Sequence, residues 1–95
     1  MVPESIPLTA RPKLSTRARL QTDKVTGKPV LLYPEGALML NPTAHAIVLL
    51  CRGGESVEGI ASILATRFQG STVDIADQIT AFLLRLRAKN LLELI

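Results

Sequence analysis

Val30-Leu-Leu-Tyr-Pro-Glu-Gly-Ala-Leu-Met-Leu-Asn-Pro42 holds two apolar runs, 30–33 and 37–40, separated by Pro-Glu-Gly and closed by Asn-Pro. Runs this short, bounded by turn chemistry, read as β-strands. Pro34 stands just past the first run, where a missing N–H is tolerated, and Pro34-Glu-Gly36 turns the chain into the second. Asn41-Pro42 then starts a helix, with Asn as the N-cap acceptor and Pro at the first helical position. Because both strands are apolar throughout, alternation puts hydrophobic groups on both faces of their sheet. Helices are expected on one face. The other calls for the arm residues Ile6, Leu8 and Leu14, a second copy of the chain, or a partner.

Upstream, Asp23-Lys-Val-Thr-Gly-Lys28 supplies a turn with Gly27 free to take positive φ, so residues 17–23 and 30–33 form a hairpin. Pro29 sits at the start of its second strand. Residues 1–14 contain Pro3, Pro7 and Pro12 and read as an extended arm, leaving 15–95 as the domain proper.

Downstream, a first helix over 42–51 turns Ala44, Ile47, Val48 and Cys51 inward and stops at Gly53-Gly54. Ser56 caps a second, with Val57, Ile60, Ala61, Leu64 and Phe68 at helical spacing, ending by Gly70. Ser71 or Thr72 opens a third, with Asp74 in the first turn where the helix dipole favours a negative charge. Ile75, Ala76, Ile79, Phe82, Leu83 and Leu86 share one broad face of this helix; Ala81, Leu84 and Ala88 gather on another. Asn90 fits a left-handed helix stop, and residues 91–95 form a short extended end. The expected fold is α+β: a three-stranded antiparallel sheet followed by a winged-helix-like bundle of three helices.

A chain of 95 residues with 47% apolar content makes one domain with a small core. Its 3% aromatic content gives no stacking platform for single-stranded nucleic acid. The net charge of +3 is unevenly placed: residues 1–28 hold six basic and two acidic side chains, residues 29–95 five and six. The positive charge therefore belongs to the arm and first strand. His45 is the only histidine, so a His-based metal site or a Ser-His-Asp triad has no partners to draw on. The single Cys51 lies in an apolar run and reads as an inert small hydrophobe, although Arg52 adjoins it. Arg52-Gly-Gly-Glu55 lacks the preceding strand and the lysine of a phosphate-binding loop. No catalytic residue, metal or cofactor is called for. The amino-terminal residues lack the pattern of a secretion signal and no stretch reaches membrane-spanning length, so a cytoplasmic protein without membrane contact is expected.

Two features stand out: the short strand 37–40, and the third helix with its excess of apolar positions. A strand at a sheet edge offers unpaired N–H and C=O groups to an extended peptide, with a neighbouring helix supplying pockets. The run 30–44, followed by Ile47, Leu50, Gly53, Ser56-Val57, Ile60, Phe82-Leu83, Leu86 and Leu91-Leu92, resembles the PqqD family of pyrroloquinoline quinone (PQQ) biosynthesis over about residues 17–95. Arg52, where that family often has an acidic residue, and Asn90, where it usually has glycine, depart from the pattern. The resemblance implies a peptide chaperone, or RiPP recognition element. The precursor peptide PqqA would bind as an extra strand beside the third strand, against the third helix, and be presented to the radical SAM enzyme PqqE. Carried onto this chain, the peptide-binding residues are Gly36, Ala37, Leu38, Met39, Leu40 and Asn41 on the strand, with Gln78, Ile79, Phe82, Arg85 and Leu86 on the helix. Alternation means that some of these will be core. The N–H of Leu40 is expected on the open edge, where a proline would remove it.

Two other readings are open. A winged helix would bind DNA, but its recognition helix would lead into the groove with Asp74 and Asp77, which repel phosphate. The doubly apolar sheet also suits a structural dimerisation module, and a homodimer is compatible with peptide binding.

Overall fold

Asn41 starts the first helix as its residue type demands. In the computed structural model, which describes residues 6–68 and 72–95, its side chain accepts a 2.7 Å hydrogen bond from the N–H of Ala44. Ser56 does the same for the next helix, accepting from the N–H of Gly59 at 3.0 Å. The chain runs through β1 (Pro12–Leu14), β2 (Arg19–Thr22), β3 (Pro29–Tyr33), β4 (Gly36–Met39), α1 (Pro42–Leu50), α2 (Val57–Phe68), α3 (Thr72–Ala88) and β5 (Leu92–Leu94). Gly70 and Ser71, read as the stop of one helix and a start of the next, lie outside the described residues.

The expected antiparallel sheet is present, in the order β2-β3-β4. Gly27 takes φ 72 in the first hairpin, where the Asp23 side chain accepts from the N–H of Val25 and the hydroxyl of Thr26. The second hairpin pairs Tyr33 with Gly36, leaving Pro34 and Glu35 as a two-residue turn without positive φ. A second, two-stranded sheet joins β1 to β5, with Pro12 opposite Leu94 and Leu14 opposite Leu92. Its strands have three residues each, too few for an alternation pattern, and they come from opposite ends of the chain.

This pairing shows where the arm goes. The carbonyls of Leu8 and Ala10 accept from the N–H groups of Glu58 and Val57 at the start of α2, both at 2.9 Å. Ile6 is buried and Leu14 packs on the same core. The described arm residues therefore seal the helical side, and the outward face of the sheet keeps Ala37 and Met39 exposed. Inward, Leu31 and Leu40 are buried and Leu38 and Tyr33 pack beside them against α1 to α3. Val57, Ile60, Leu64, Ile79, Leu83, Leu86 and Leu91 complete the core; Phe68, read as part of that stripe, is exposed at the end of α2.

Helix α3 ends as Asn90 foretells, with φ 59. The N–H of Leu91 donates to the carbonyl of Leu86 at 2.9 Å and that of Asn90 to Arg87 at 3.0 Å, a double closure that leaves Leu86 and Leu91 both fully buried. This stop turns the chain into β5, paired beside β1.

Burial pushes the Cys51 thiol up from its ordinary 9.0 to about 12, while the neighbouring Arg52 is exposed. Between those values the folded protein keeps a proton that the unfolded chain gives up, so stability is full below pH 9 and is lost as pH rises through that window. A thiol reagent at neutral pH is expected to label Cys51 only as fast as the domain opens, reaching the free-thiol rate in denaturant. Denaturation midpoints should fall above pH 9, and Cys51→Ala should reduce that fall.

Candidate functional site

The pairing of β3 with β4 decides which backbone groups of β4 are free. Leu40 donates its N–H to the carbonyl of Pro29 at 3.1 Å, and Val30 and Leu31 lie opposite Met39 and Leu38. In an antiparallel ladder, residues that bond to the partner alternate with residues that face away. Leu40, Leu38 and Gly36 are thus turned to β3, and Ala37 and Met39 point their N–H and C=O groups outward. Leu40 is therefore not an edge donor: its N–H serves the ladder and its side chain is buried.

Beside this edge lies a hollow of about 270 Å³ lined by Leu38, Met39, Asn41, Thr43, Ala44, Ile47, Gln78, Ala81, Phe82 and Arg85. Strand β4 supplies one wall. Helix α1 closes the end because only Leu40 and Asn41 separate it from β4, and α3 forms the far wall with residues 78, 81, 82 and 85, one stripe at helical spacing. The floor is apolar, from Ile47 and Phe82, and the rim is polar, from Asn41, Gln78 and Arg85.

Six of the eleven residues named from sequence meet here: Leu38, Met39, Asn41, Gln78, Phe82 and Arg85. Gly36 and Ala37 continue the exposed edge. Leu40, Ile79 and Leu86 lie in the core, as alternation requires of some. Sequence reading missed Thr43, Ala44, Ile47 and Ala81 as lining. Ala81 was within reach, since a helix wall holding Gln78 and Arg85 passes through it. Its side chain is the smallest on this wall.

The other edge of the sheet differs. On β2 every residue is exposed, and Arg19 stands on it with Lys24 and Lys28 at the hairpin's far end. Charge on an unpaired edge discourages strand pairing. Among the described residues no group of three His, Cys, Asp or Glu could hold a metal ion, and no helix is long and apolar enough to cross a membrane.

The family model described as "Coenzyme PQQ synthesis protein D (PqqD)" matches residues 29–92. A "PqqA binding protein" of Rhizobium meliloti is 34% identical over 83 residues, covering 87% of this chain and 85% of that one. The "Bifunctional coenzyme PQQ synthesis protein C/D" of Methylorubrum extorquens is 35% identical over 82 residues, 86% of this chain but 22% of the larger protein. Among solved structures, the solution NMR structure of the PqqD truncation of Methylobacterium extorquens PqqCD, described as a functional, stand-alone RiPP recognition element, superposes with a TM-score of 0.74. It is 35% identical, and the match covers 86% of this chain and 87% of that one.

The edge geometry has a direct readout. In native-state hydrogen exchange, the amides of Ala37 and Met39 should exchange at least about tenfold faster than those of Leu38 and Leu40, which are bonded within the sheet. Equal protection along 37–40 would mean that the edge is already paired.

Proposed function

Because this chain belongs to the PqqD family, we propose that it is a non-catalytic carrier that binds the precursor peptide PqqA by strand addition to β4 and presents it to the radical SAM enzyme PqqE. Residues 15–95 are the peptide-binding domain in this reading and 1–14 the arm, of which the described residues 6–14 brace the domain. It works in the cytoplasm, where a ribosomally made peptide and its modifying enzyme meet.

The observation that carries the proposal is the coincidence of free backbone groups with a pocket. Ala37 and Met39 face outward along the edge that borders the hollow between β4, α1 and α3. An extended peptide laid there pairs its backbone with those groups and turns alternate side chains toward Phe82 and Ile47. Main-chain bonds supply affinity that is indifferent to sequence, and the apolar floor supplies preference. Catalysis is left to the enzyme that receives the complex; tethering the peptide near it raises the effective concentration of substrate.

Met39→Pro tests this best, because proline is tolerated on an edge whose N–H faces away from the sheet. With folding confirmed by circular dichroism, this variant should bind PqqA about tenfold more weakly, the loss of roughly one hydrogen bond and its alignment. A folded Met39→Pro with unchanged affinity would contradict strand addition at β4.

A further inference from the structure

The groove does not end at Arg85. Residues 81, 85 and 88 follow one another on the same flank of α3, and just past its end a second hollow of about 390 Å³ opens among Arg17, Tyr33, Glu35, Ala88, Lys89 and Asn90. Glu35 immediately precedes Gly36 and Tyr33 lies opposite it on β3, so this hollow adjoins the start of β4 as the first adjoins its end. At 1.5 Å per residue, the step from Phe82 to Ala88 is about 9 Å along the helix, and Lys89 follows directly.

The two ends differ in polarity. The first hollow contains no carboxylate and has an apolar floor. The second is charged: Arg17 Nη2 lies 3.1 Å from Glu35 Oε2, and Lys89 Nζ sits 5.6 Å from the centre of the Tyr33 ring. Among the described residues Arg17–Glu35 is the one salt bridge, so Arg85 and Lys89 carry their charges without a carboxylate partner. Two cations, Arg17 and Lys89, stand here against one carboxylate, and the partial negative charge of the α3 terminus is reduced because the carbonyls of Leu86 and Arg87 are already bonded in the Asn90 turn.

We propose that this end of the groove is a subsite for a carboxylate side chain of the bound peptide, and that Glu35 holds its place in the free protein. The proposal rests on strand addition at β4. The Arg17–Glu35 pair is half-exposed and such pairs contribute little, so exchanging Glu35 for a ligand carboxylate between Arg17 and Lys89 is cheap. The consequence is register. Side chains on one face of an added strand recur every ~6.8 Å, and edge pairing alone tolerates a slip of two residues. An apolar anchor over Phe82 and an acidic residue two or four positions away, held near Lys89, removes that freedom.

The experiment titrates the full chain with PqqA, and with PqqA in which each Asp and Glu is changed to Asn and Gln. Lys89→Gln should weaken binding of unaltered PqqA about three- to fivefold and flatten its dependence on salt, without changing the affinity of the amide-substituted peptide. Glu35→Gln should bind unaltered PqqA two- to threefold more tightly at low salt. Wild-type affinity in both variants, or equal affinity for the two peptides, overturns the subsite. If Met39→Pro still loses affinity in that case, the carrier reading stands without it; if Met39→Pro also binds like wild type, both fall.

Discussion

A β-strand sends successive N–H and C=O groups to opposite sides, and the bond from Leu40 to Pro29 sets that alternation for β4. With Leu38 and Leu40 turned inward, Ala37 and Met39 offer their groups to whatever comes alongside. A shift of one residue would reverse the roles and turn the buried Leu40 and half-buried Leu38 side chains outward. The two-residue turn at Pro34-Glu35 and the cap at Asn41 hold this register from either end. Hydrophobic burial and edge chemistry are thereby locked to one another.

The helices complete what the edge begins. Helix α1 follows β4 so closely that its first turn walls one end of the groove, and α3 lies alongside with alanines at 81 and 88 lining the two hollows. The buried face of α3, from Ile75 through Leu86, anchors the wall in the core. Leu86 and Leu91, joined by the turn at Asn90, tie it to β5 and so to the arm. The apolar floor thus sits on α1 and α3, while the charged far end is carried by the turns that hold Arg17, Glu35 and Lys89.

Much of this was legible in the sequence because it is local. Asn41-Pro42, Ser56, Gly27 and Asn90 each specify a cap or turn through their own conformational preferences, and the structure places each where that preference leads. The apolar stripes of the helices likewise show in their spacing. What was not legible is long-range. The union of Pro12–Leu14 with Leu92–Leu94 joins opposite ends of the chain, and no local pattern marks it. The direction of the Leu40 N–H depends on ladder phase, which composition does not reveal. The α1 wall of the groove follows from how that helix folds back beside β4, and only Ala81 could have been inferred from the residues flanking it on the helix.

Family membership joins these features to PQQ synthesis, and the outward-facing pair on β4 is the feature on which the proposed strand addition rests. The most direct measurement is a set of nuclear Overhauser contacts between isotope-labelled protein and unlabelled PqqA. A peptide lying as a fourth strand predicts regularly alternating backbone contacts to residues 37–39, with its side chains near Phe82 and Ala81. Contacts confined to β2, or a bound peptide that is helical and touches no backbone proton of β4, would contradict the account.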